Sequence, residues 1–388
     1  MKLKSPEYKE LELNLSYHFG ALLNKPLAKP HWIYISLLHK CNLKCSMCGV
    51  SKILTQHQLS LEEVKRIIDE ISSWKFDSRI QLTGGEPLLR KDIFQIIDYS
   101  TNAGLTTELV TNGMLINKKN VKTIIKSKLQ GIAISIDGAT PKTHDSIRGV
   151  KGSLKKTIEA VKLLVEEKNK QKIGPQISIW TTIMNQNIEE LEEIAILAKE
   201  LDVDCLVYHP VILSQTDMQN TTREGSLWVP KERLIILKDQ IDKLVSFQKK
   251  QGIIAFLHDP YWFINYFERT ITKKDWKCNP LEFIDIGPNG AVQSCGGDFG
   301  SIKTMSLEDS MNTRKAEASR ALMKNCQKPC LQTCWARPEA DDLEKIFQTF
   351  FRRLQDSNIS KQEKKNCLQK SLDLLNKYES MSKKALTK

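Results

Sequence analysis

The sequence predicts an α/β fold, because apolar runs typical of strands alternate with helical patterns between residues 33 and 208. The predicted strands are residues 33–38, 79–83, 106–111, 131–135, 176–182 and 204–208. The helical patterns between them are residues 60–73, 91–103, 118–127, 154–169 and 189–201. Strands that alternate with helices form parallel βα units, whose strands share one carboxyl edge. We therefore expect functional residues to gather at that edge.

Two of the predicted helices begin with a capping-box pattern, a short polar residue followed three positions later by an acidic one. Ser60 and Glu63 precede the apolar stripe of the helix at 60–73. Asn187 and Glu190 precede that of the helix at 189–201. We expect each pair to satisfy the free backbone N–H groups at the start of its helix.

The composition is that of a protein with a large hydrophobic core. The chain has 388 residues, of which 40% are hydrophobic, and a net charge of +12. It has no uncharged apolar run of membrane-spanning length, so we expect no membrane partner. The basic residues lack zinc-finger spacing and interleaved aromatic residues, so we expect no nucleic-acid partner. Ten cysteines in ligand-like groups, behind an N-terminus too charged for a signal peptide, predict a soluble cytoplasmic protein with metal-binding thiols.

Three cysteines lie within eight residues, directly after the first predicted strand. Cys41, Cys45 and Cys48 have the spacing C-x3-C-x2-C. Iron–sulfur cubanes are normally held by four thiolates, so a loop with three can hold one cluster and leave one iron open. A zinc loop is the alternative, but zinc sites close with four ligands and only His39 is near enough in sequence to complete one. The spacing therefore favours a 4Fe–4S cluster.

A glycine-rich segment, Gly84-Gly85-Glu86-Pro87, follows the second predicted strand. Alone it would be an ordinary turn. Together with the three cysteines it resembles the signature of the radical S-adenosylmethionine (radical SAM) superfamily. The resemblance implies that the α/β core is a partial (β/α)6 barrel. It also implies that this segment binds the amino group of S-adenosylmethionine through backbone carbonyls and the side chain of Glu86.

The same resemblance extends to other strand ends. It implies that Ser135 and Arg148 contact the carboxylate of S-adenosylmethionine and that Asp137 contacts the ribose region. An arginine can bind a carboxylate in a bidentate way that a lysine cannot. Asn112, after the third strand, is a further candidate contact with S-adenosylmethionine, and Asn185, after the fifth, is a candidate for the ribose. Each of these strand ends, taken alone, would more often be a simple turn.

A second group of five cysteines lies further along the chain. Cys278 and Cys295 flank a predicted β-hairpin whose turn lies at Asn289-Gly290. The other three, spaced C-x3-C-x3-C, are Cys326, Cys330 and Cys334. The first half of this group resembles the SPASM or twitch domain, which implies a small α+β domain with an auxiliary cluster. Because five cysteines cannot hold two cubanes, we expect one auxiliary 4Fe–4S cluster.

The preferred ligands of the auxiliary cluster are Cys278, Cys295, Cys330 and Cys334. In this assignment Cys326 is spare or substitutes for one of them. A closed four-ligand zinc site is the alternative.

These patterns divide the chain into five parts. They are a leader at 1–31 with a short helix at 17–23, the barrel core at 32–210, a linker and helical cap at 211–277, the auxiliary domain at 278–336, and C-terminal helices at 337–388. The apolar residues of the last part recur at helical spacing. They predict a helical pair that packs on the barrel or on a second subunit.

The resemblance implies an enzyme that cleaves S-adenosylmethionine reductively, so that a 5′-deoxyadenosyl radical takes a hydrogen atom from a substrate. We expect an external one-electron reductant of the flavodoxin or ferredoxin type. The auxiliary cluster would accept an electron from the substrate or bind it. Since 32 residues before the first strand are too few for a peptide-recognition domain, we expect a small metabolite such as a sugar or cyclitol. The alternatives are a maturase of a ribosomally made peptide and a non-catalytic iron–sulfur electron-transfer protein.

Overall fold

The computed structural model describes residues 6–50, 53, 57–213, 226–272, 279, 281–295, 297–326, 331 and 342–386, and ten strands among them form one sheet. The strands are β1 (Trp32–Ser36), β2 (Arg79–Thr83), β3 (Thr106–Thr111), β4 (Gly131–Ser135), β5 (Gln176–Ile183), β6 (Cys205–Pro210), β7 (Ile254–Ala255), β8 (Phe283–Ile286), β9 (Ala291–Ser294) and β10 (Gly297–Ser301). Their order across the sheet is β10-β9-β8-β1-β2-β3-β4-β5-β6-β7.

The described residues also include thirteen α-helices. They are α1 (Pro6–Leu23), α2 (Leu61–Ser73), α3 (Ile93–Asn102), α4 (Val121–Lys126), α5 (Pro141–Arg148), α6 (Ser153–Gln171), α7 (Leu191–Glu200), α8 (Leu234–Gln251), α9 (Trp262–Glu268), α10 (Leu307–Met311), α11 (Arg314–Lys324), α12 (Leu343–Asp356) and α13 (Lys361–Leu386). Helices α2, α3, α4, α6 and α7 match the five predicted helical patterns between β1 and β6, and α5 lies there in addition.

Strands β1 to β6 pair side by side in chain order, and every pairing between them is parallel. The predicted α/β fold of parallel βα units is therefore confirmed, with strand limits within two residues of the expected ones. Strand β7 adds a short parallel edge beside β6. The carboxyl ends of the six strands consequently meet at one edge, which we call the mouth of the sheet.

Helix α2 shows why the local sequence suffices for much of this core. Its four buried residues are Val64, Ile67, Ile68 and Ile71. They recur at the spacing of one helix face, and burying each contributes roughly 1.5–3 kcal/mol. The predicted capping box is confirmed, because Glu63 N–H donates to Ser60 Oγ at 3.1 Å and Ser60 N–H donates to Glu63 Oε2 at 2.7 Å.

The second predicted capping box is wrong. Helix α7 begins without a side-chain cap. The carboxylate of Glu190 accepts the N–H groups of Ala139 and Thr140, at 2.8 and 3.1 Å. The side-chain amide of Asn187 donates to the carbonyl oxygens of Asp137 and Thr182, at 2.9 and 2.8 Å. Both residues therefore tie the ends of β4 and β5 together instead of capping the helix that follows.

The predicted hairpin is confirmed as β8 and β9, with Gly290 in the left-handed region at φ +85°. It is continuous with the main sheet, because β8 pairs in parallel with β1, from Phe283 beside Trp32 to Ile286 beside Ile35. The hairpin is therefore an extension of the barrel sheet. The predicted domain limits themselves stay a prediction.

The two ends of the chain form a helical unit of their own. Helix α1 has 18 residues, where the sequence predicts only a short helix at 17–23. Leu11, Leu15 and Phe19 share one face of α1 and pack against Ile346, Phe350 and Leu354 of α12. Tyr378 of α13 stacks on Phe19 with ring centroids 5.1 Å apart, and its hydroxyl lies 2.7 Å from Ser16 Oγ. The C-terminal helices thus pack on α1, and the expected packing on the barrel or on a second subunit stays a prediction.

None of the helices in the described ranges combines the length and the apolar character that crossing a lipid bilayer requires.

Candidate functional site

The three cysteines of the first group lie in a loop, residues 38–58, that leaves β1 at the mouth of the sheet and is called the cysteine loop below. Cys41, Cys45 and Cys48 are all half-buried. Burial raises the pKa of the Cys41 and Cys45 thiols, and the neighbouring thiols of the loop raise it further. Both effects favour the neutral thiols, and a bound metal cluster would have to displace their protons, since ligating thiols must be deprotonated. As the side chains stand, no three metal-ligating groups converge anywhere in the described ranges.

Gly84 and Gly85 press against the backbone of the cysteine loop. The N–H of Gly85 donates to Leu38 O at 2.7 Å, and the N–H of Glu86 donates to Lys40 O at 2.9 Å. A Cβ on Gly85 would lie 2.2 Å from Lys40 O, and one on Gly84 would lie 2.7 Å from Leu38 O. Gly84 also has φ +138°, which side-chain-bearing residues rarely adopt. The two glycines are therefore required because the chain contacts itself closely here. From the sequence alone, they are explained by contact with a ligand.

Glu86 is 1% exposed, and its carboxylate holds two strand ends together. It accepts hydrogen bonds from Thr111 Oγ1 at 2.8 Å, from Asn112 N–H at 2.9 Å and from Leu88 N–H at 3.0 Å. Burial raises the pKa of Glu86 although these hydrogen bonds oppose the shift. The carboxylate is thus engaged by its own chain, and its contact with an amino group stays a prediction. Pro87, also buried, begins a short 3-10 helix through Leu89.

Asn112 connects the end of β3 to the cysteine loop. Its side-chain amide donates to Asn42 Oδ1 at 2.8 Å, and its own Oδ1 accepts the N–H of Met114 at 3.0 Å. Asn42 lies next to Cys41 in the sequence. Asn112 therefore orients the loop that carries the thiols.

Asp137 and Arg148 form a buried ion pair beside Cys45. Nη2 of Arg148 lies 2.6 Å from Oδ2 of Asp137, and Nη1 lies 3.8 Å from Cys45 Sγ. Burial opposes the charge of Arg148, but Asp137 and the thiols of Cys45 and Cys48 raise its pKa overall. Nε of Arg148 is buried without a hydrogen-bond partner. A buried unpaired donor next to a cysteine loop is a ready site for an anionic group.

The backbone of α5 also holds the cysteine loop. The N–H groups of Lys44 and Ser46 donate to the carbonyl oxygens of Arg148 and Ile147, at 3.2 and 2.8 Å. Gly149, which ends α5 at φ +72°, would collide with Lys44 O if it carried a Cβ. Arg148 therefore contacts the loop through both its side chain and its main chain.

The two remaining predicted contacts of S-adenosylmethionine are less central. Ser135, at the end of β4, is half-buried and lies beside Trp180 of β5. The side-chain amide oxygen and the carbonyl oxygen of Asn185 both accept from Arg233 Nη1, the latter at 2.9 Å. The roles assigned to Ser135 and Asn185 stay predictions.

Two histidines near the mouth are absent from the predicted site. His144 accepts the N–H of Asp137 on Nδ1 at 3.2 Å, and burial, then Arg148, lowers its pKa to about 3. Nε2 of His209, at the end of β6, lies 3.1 Å from Thr182 Oγ1. Burial, then Arg148, lowers the pKa of His209 to about 4. The position of His209 at a strand end is the signal that points to it.

The second cysteine group is described only in part, because Cys278, Cys330 and Cys334 lie outside the described residues. Cys295 directly follows β9, and Cys326 follows α11; both are exposed. Burial, then the nearby Cys326, raises the pKa of Cys295. The contact of Ser294 Oγ with Ser319 Oγ, at 3.0 Å, holds α11 beside the end of β9. The structure thus brings Cys295 close to Cys326, the cysteine that the sequence left as spare.

The comparisons with known proteins agree with this geometry. A family model described as the radical SAM superfamily matches residues 35–201. The AdoMet-dependent heme synthase of Methanosarcina barkeri is 36% identical over 199 residues, 51% of this chain and 54% of that protein. The PqqA peptide cyclase of Rhodopseudomonas palustris is 26% identical over 287 residues, 71% of each chain. The chain spans about half the length of the first curated relatives it matches.

Solved structures share the fold. SuiB of Streptococcus suis, crystallised with S-adenosylmethionine, superposes with a TM-score of 0.60 over 81% of this chain and 78% of its own, at 16% identity. This likeness supports a partial barrel followed by an auxiliary region. Members of the family bind a 4Fe–4S cluster and S-adenosylmethionine, and the three thiols with the buried unpaired donor of Arg148 suit both. Residues 35–201, which hold the parallel strands and the first cysteine group, are therefore identified as a radical SAM domain.

Proposed function

We propose that this protein cleaves S-adenosylmethionine reductively and uses the 5′-deoxyadenosyl radical to take a hydrogen atom from a peptide. The observation that carries the proposal is the clamp of Gly84 and Gly85 on the cysteine loop, at the edge where six parallel strands end. It joins the two motifs that the chemistry needs in one rigid unit. An iron–sulfur electron carrier would need the thiols but not this clamp or the buried Arg148.

The residues of this chain would have distinct tasks. Cys41, Cys45 and Cys48 would hold a cluster with one open iron, which supplies the electron that splits the sulfonium of a bound S-adenosylmethionine. Backbone carbonyls near Gly84 to Glu86 would accept from the amino group of S-adenosylmethionine. Arg148 would donate from its unpaired Nε to an acceptor of that molecule, while Asp137 fixes the guanidinium. The sheet edge would exclude water from the radical.

A peptide substrate is preferred over the small metabolite expected from the sequence. PqqA peptide cyclase is matched over 71% of both chains, whereas the sequence argument rested only on the 32 residues before the first predicted strand. SuiB, which shares the fold, has also been crystallised with its precursor peptide SuiA. We propose a ribosomally made peptide as the substrate.

A tetrapyrrole is the second candidate. The relative with 36% identity is named a heme synthase, and its matched region covers the barrel half of this chain. The two candidates differ in the group that loses a hydrogen atom to the radical, which is a peptide side chain in the first and a porphyrin substituent in the second. A labelled substrate can therefore distinguish them.

We further propose one auxiliary 4Fe–4S cluster with Cys295 among its ligands. We also propose an external reductant of the flavodoxin or ferredoxin type. The closeness of Cys326 to Cys295 supports Cys326 as a ligand in place of one of the other cysteines of the second group. A cluster there would take up the electron left on the substrate, making the net reaction an oxidation.

The test is anaerobic reconstitution followed by reduction with dithionite. Two four-iron clusters would give about eight irons per chain. Cys45→Ala is expected to abolish release of 5′-deoxyadenosine, and Cys295→Ala to lower iron content by about four while retaining cleavage. Cys205→Ala, at a half-buried thiol of β6 outside both groups, is the matched control and should behave as wild type. Intact S-adenosylmethionine in the wild-type reaction would refute the proposal.

The substrate is tested with deuterated compounds. A deuterated peptide encoded beside the gene should transfer deuterium to 5′-deoxyadenosine, detected by mass spectrometry. Transfer from a deuterated iron porphyrin and not from the peptide would favour the tetrapyrrole.

A further inference from the structure

The two ends of the cysteine loop lie side by side, at residues 37–39 and 57–59, and we call this pair of segments the neck of the loop. The N–H of Leu59 donates to Leu37 O at 3.1 Å, and the N–H of His39 donates to His57 O at 3.0 Å. Leu38 and Gln58 form an antiparallel bridge between them. All three thiols of the first group therefore lie between two residues, Leu37 and Leu59, that are bound to each other.

A buried arginine contacts both sides of this neck. Nη1 of Arg90 donates to Leu59 O at 2.6 Å and to Leu37 O at 3.3 Å. The side chain of Arg90 is 0% exposed. It follows the Gly84–Pro87 segment after two leucines, so the element that clamps the loop backbone also delivers this guanidinium to its neck.

The charge of Arg90 is neutralised by one carboxylate. Nε and Nη2 donate to the two oxygens of Asp92, at 2.8 and 2.6 Å. These hydrogen bonds lower the pKa of Asp92 although burial opposes the shift, so the pair stays ionised near neutral pH. The planar guanidinium can bind a carboxylate on one side and two carbonyls on the other, which the ammonium of a lysine cannot.

We propose that Arg90 is a positioning residue that locks the neck of the cysteine loop, so that Cys41, Cys45 and Cys48 stay gathered for the cluster. This role rests on the proposed function for its purpose, because a loop without a cluster has no need of a locked neck. The lock itself can be measured on protein without a cluster. Arg90 acts through the backbone of the loop and touches no reacting atom.

The experiment is hydrogen–deuterium exchange on the cluster-free full chain. Arg90→Lys should raise the exchange rate of the amides at 38–59 about tenfold, equivalent to about 1.4 kcal/mol of local opening. Asp92→Asn, which leaves Arg90 in place without its counter-charge, should raise it about threefold, half that free energy. Asp92→Asn also keeps the test usable should Arg90→Lys fail to fold.

The matched control is Arg320→Lys. Arg320 is also a buried arginine that donates to backbone carbonyls, Met311 O at 2.7 Å and Asn24 O at 3.2 Å, but it lies in α11 away from the loop. The Arg320→Lys variant should leave the amide exchange rates at 38–59 unchanged. The proposal would be overturned if Arg90→Lys and Asp92→Asn exchanged at the wild-type rate. It would also be overturned if their exchange rose equally in β4 and β5.

A second measurement uses the reconstituted protein. Arg90→Lys should release iron to a chelator several-fold faster than Arg320→Lys and should change the electron paramagnetic resonance of the reduced cluster. Equal release from the two variants would count against the lock. Failure of the wild-type protein to cleave S-adenosylmethionine would refute the proposed function alone, because the exchange result does not depend on cleavage.

Discussion

Replacing Gly85 by alanine tests the contact that joins the two predicted motifs. The added Cβ would lie 2.2 Å from Lys40 O, 2.5 Å from His39 O and 2.6 Å from Lys40 C. These are backbone atoms, so no side chain can rotate away. The cysteine loop must retreat by about 1 Å to reach an ordinary contact distance, because non-bonded atoms repel steeply inside it.

The magnitude follows from what that movement breaks. Overpacking of this kind costs about 1–3 kcal/mol. The retreat also lengthens the hydrogen bonds from Gly85 N–H to Leu38 O and from Glu86 N–H to Lys40 O, now 2.7 and 2.9 Å. Each contributes about 1 kcal/mol. We expect Gly85→Ala to lower the free energy of unfolding by about 3–5 kcal/mol, measured by urea denaturation of the cluster-free protein.

Gly49→Ala is the matched control. Gly49 lies in the same loop beside Cys48, and a Cβ there would meet no atom within 4 Å. Its effect should stay within about 0.5 kcal/mol. A Gly85→Ala variant as stable as Gly49→Ala would refute the interpretation that the glycines serve contact between the two segments.

Three further predictions concern charge and packing. Burial depresses the pKa of His144 to about 3 and of His209 to about 4, so both are neutral in the folded protein near pH 6. The unfolded imidazoles take up protons below a pH of about 6.5, so each histidine should lower the stability by about 1.4 kcal/mol per pH unit as the pH falls towards those values. His144→Asn should therefore make the urea midpoint depend less steeply on pH, and an unchanged slope would contradict this. Asp137→Asn leaves the buried charge of Arg148 without a partner and should lower the free energy of unfolding by about 3–5 kcal/mol in the same assay. Asp242→Asn, in an exposed pair with Lys238, should have a far smaller effect, and equal losses in the two variants would contradict this. Tyr378→Phe removes the contact with Ser16 Oγ and should cost about 1 kcal/mol, with faster amide exchange confined to α1 and α13; unchanged exchange there would argue against the helical unit.

Features set by neighbouring residues could be predicted from the sequence. The parallel strands and the start of α2 follow from apolar spacing and from Ser60 with Glu63, which need no partner from elsewhere. The capping box predicted from Asn187 and Glu190 was wrong, because backbone groups at or after the ends of β4 and β5 bind these side chains instead. Ala139 N–H, which donates to Glu190, lies about fifty residues away in the sequence. Tertiary partners replaced the local cap.

Other features depend on contacts that no local pattern encodes. The first turns of α1 are rich in charged residues, and α12 and α13, more than 300 residues later, cover the apolar face of Leu11, Leu15 and Phe19. For the site, the motifs identified the cysteines and the glycines. The internal hydrogen bonds of Glu86 and the approach of Cys326 to Cys295 needed the fold, since each joins elements that are distant in sequence.

The register of β8 on β1 has a consequence for the path of electrons. Ile286 lies beside Ile35, so β9 runs back towards the level of Trp32, and Cys295 follows it at the amino rim of the barrel. The cysteine loop begins beyond Ser36, at the opposite rim, about 13 Å away along the strands. A reductant serving the first cysteine group and an acceptor serving the proposed auxiliary cluster would therefore dock at opposite rims and would not compete for one surface.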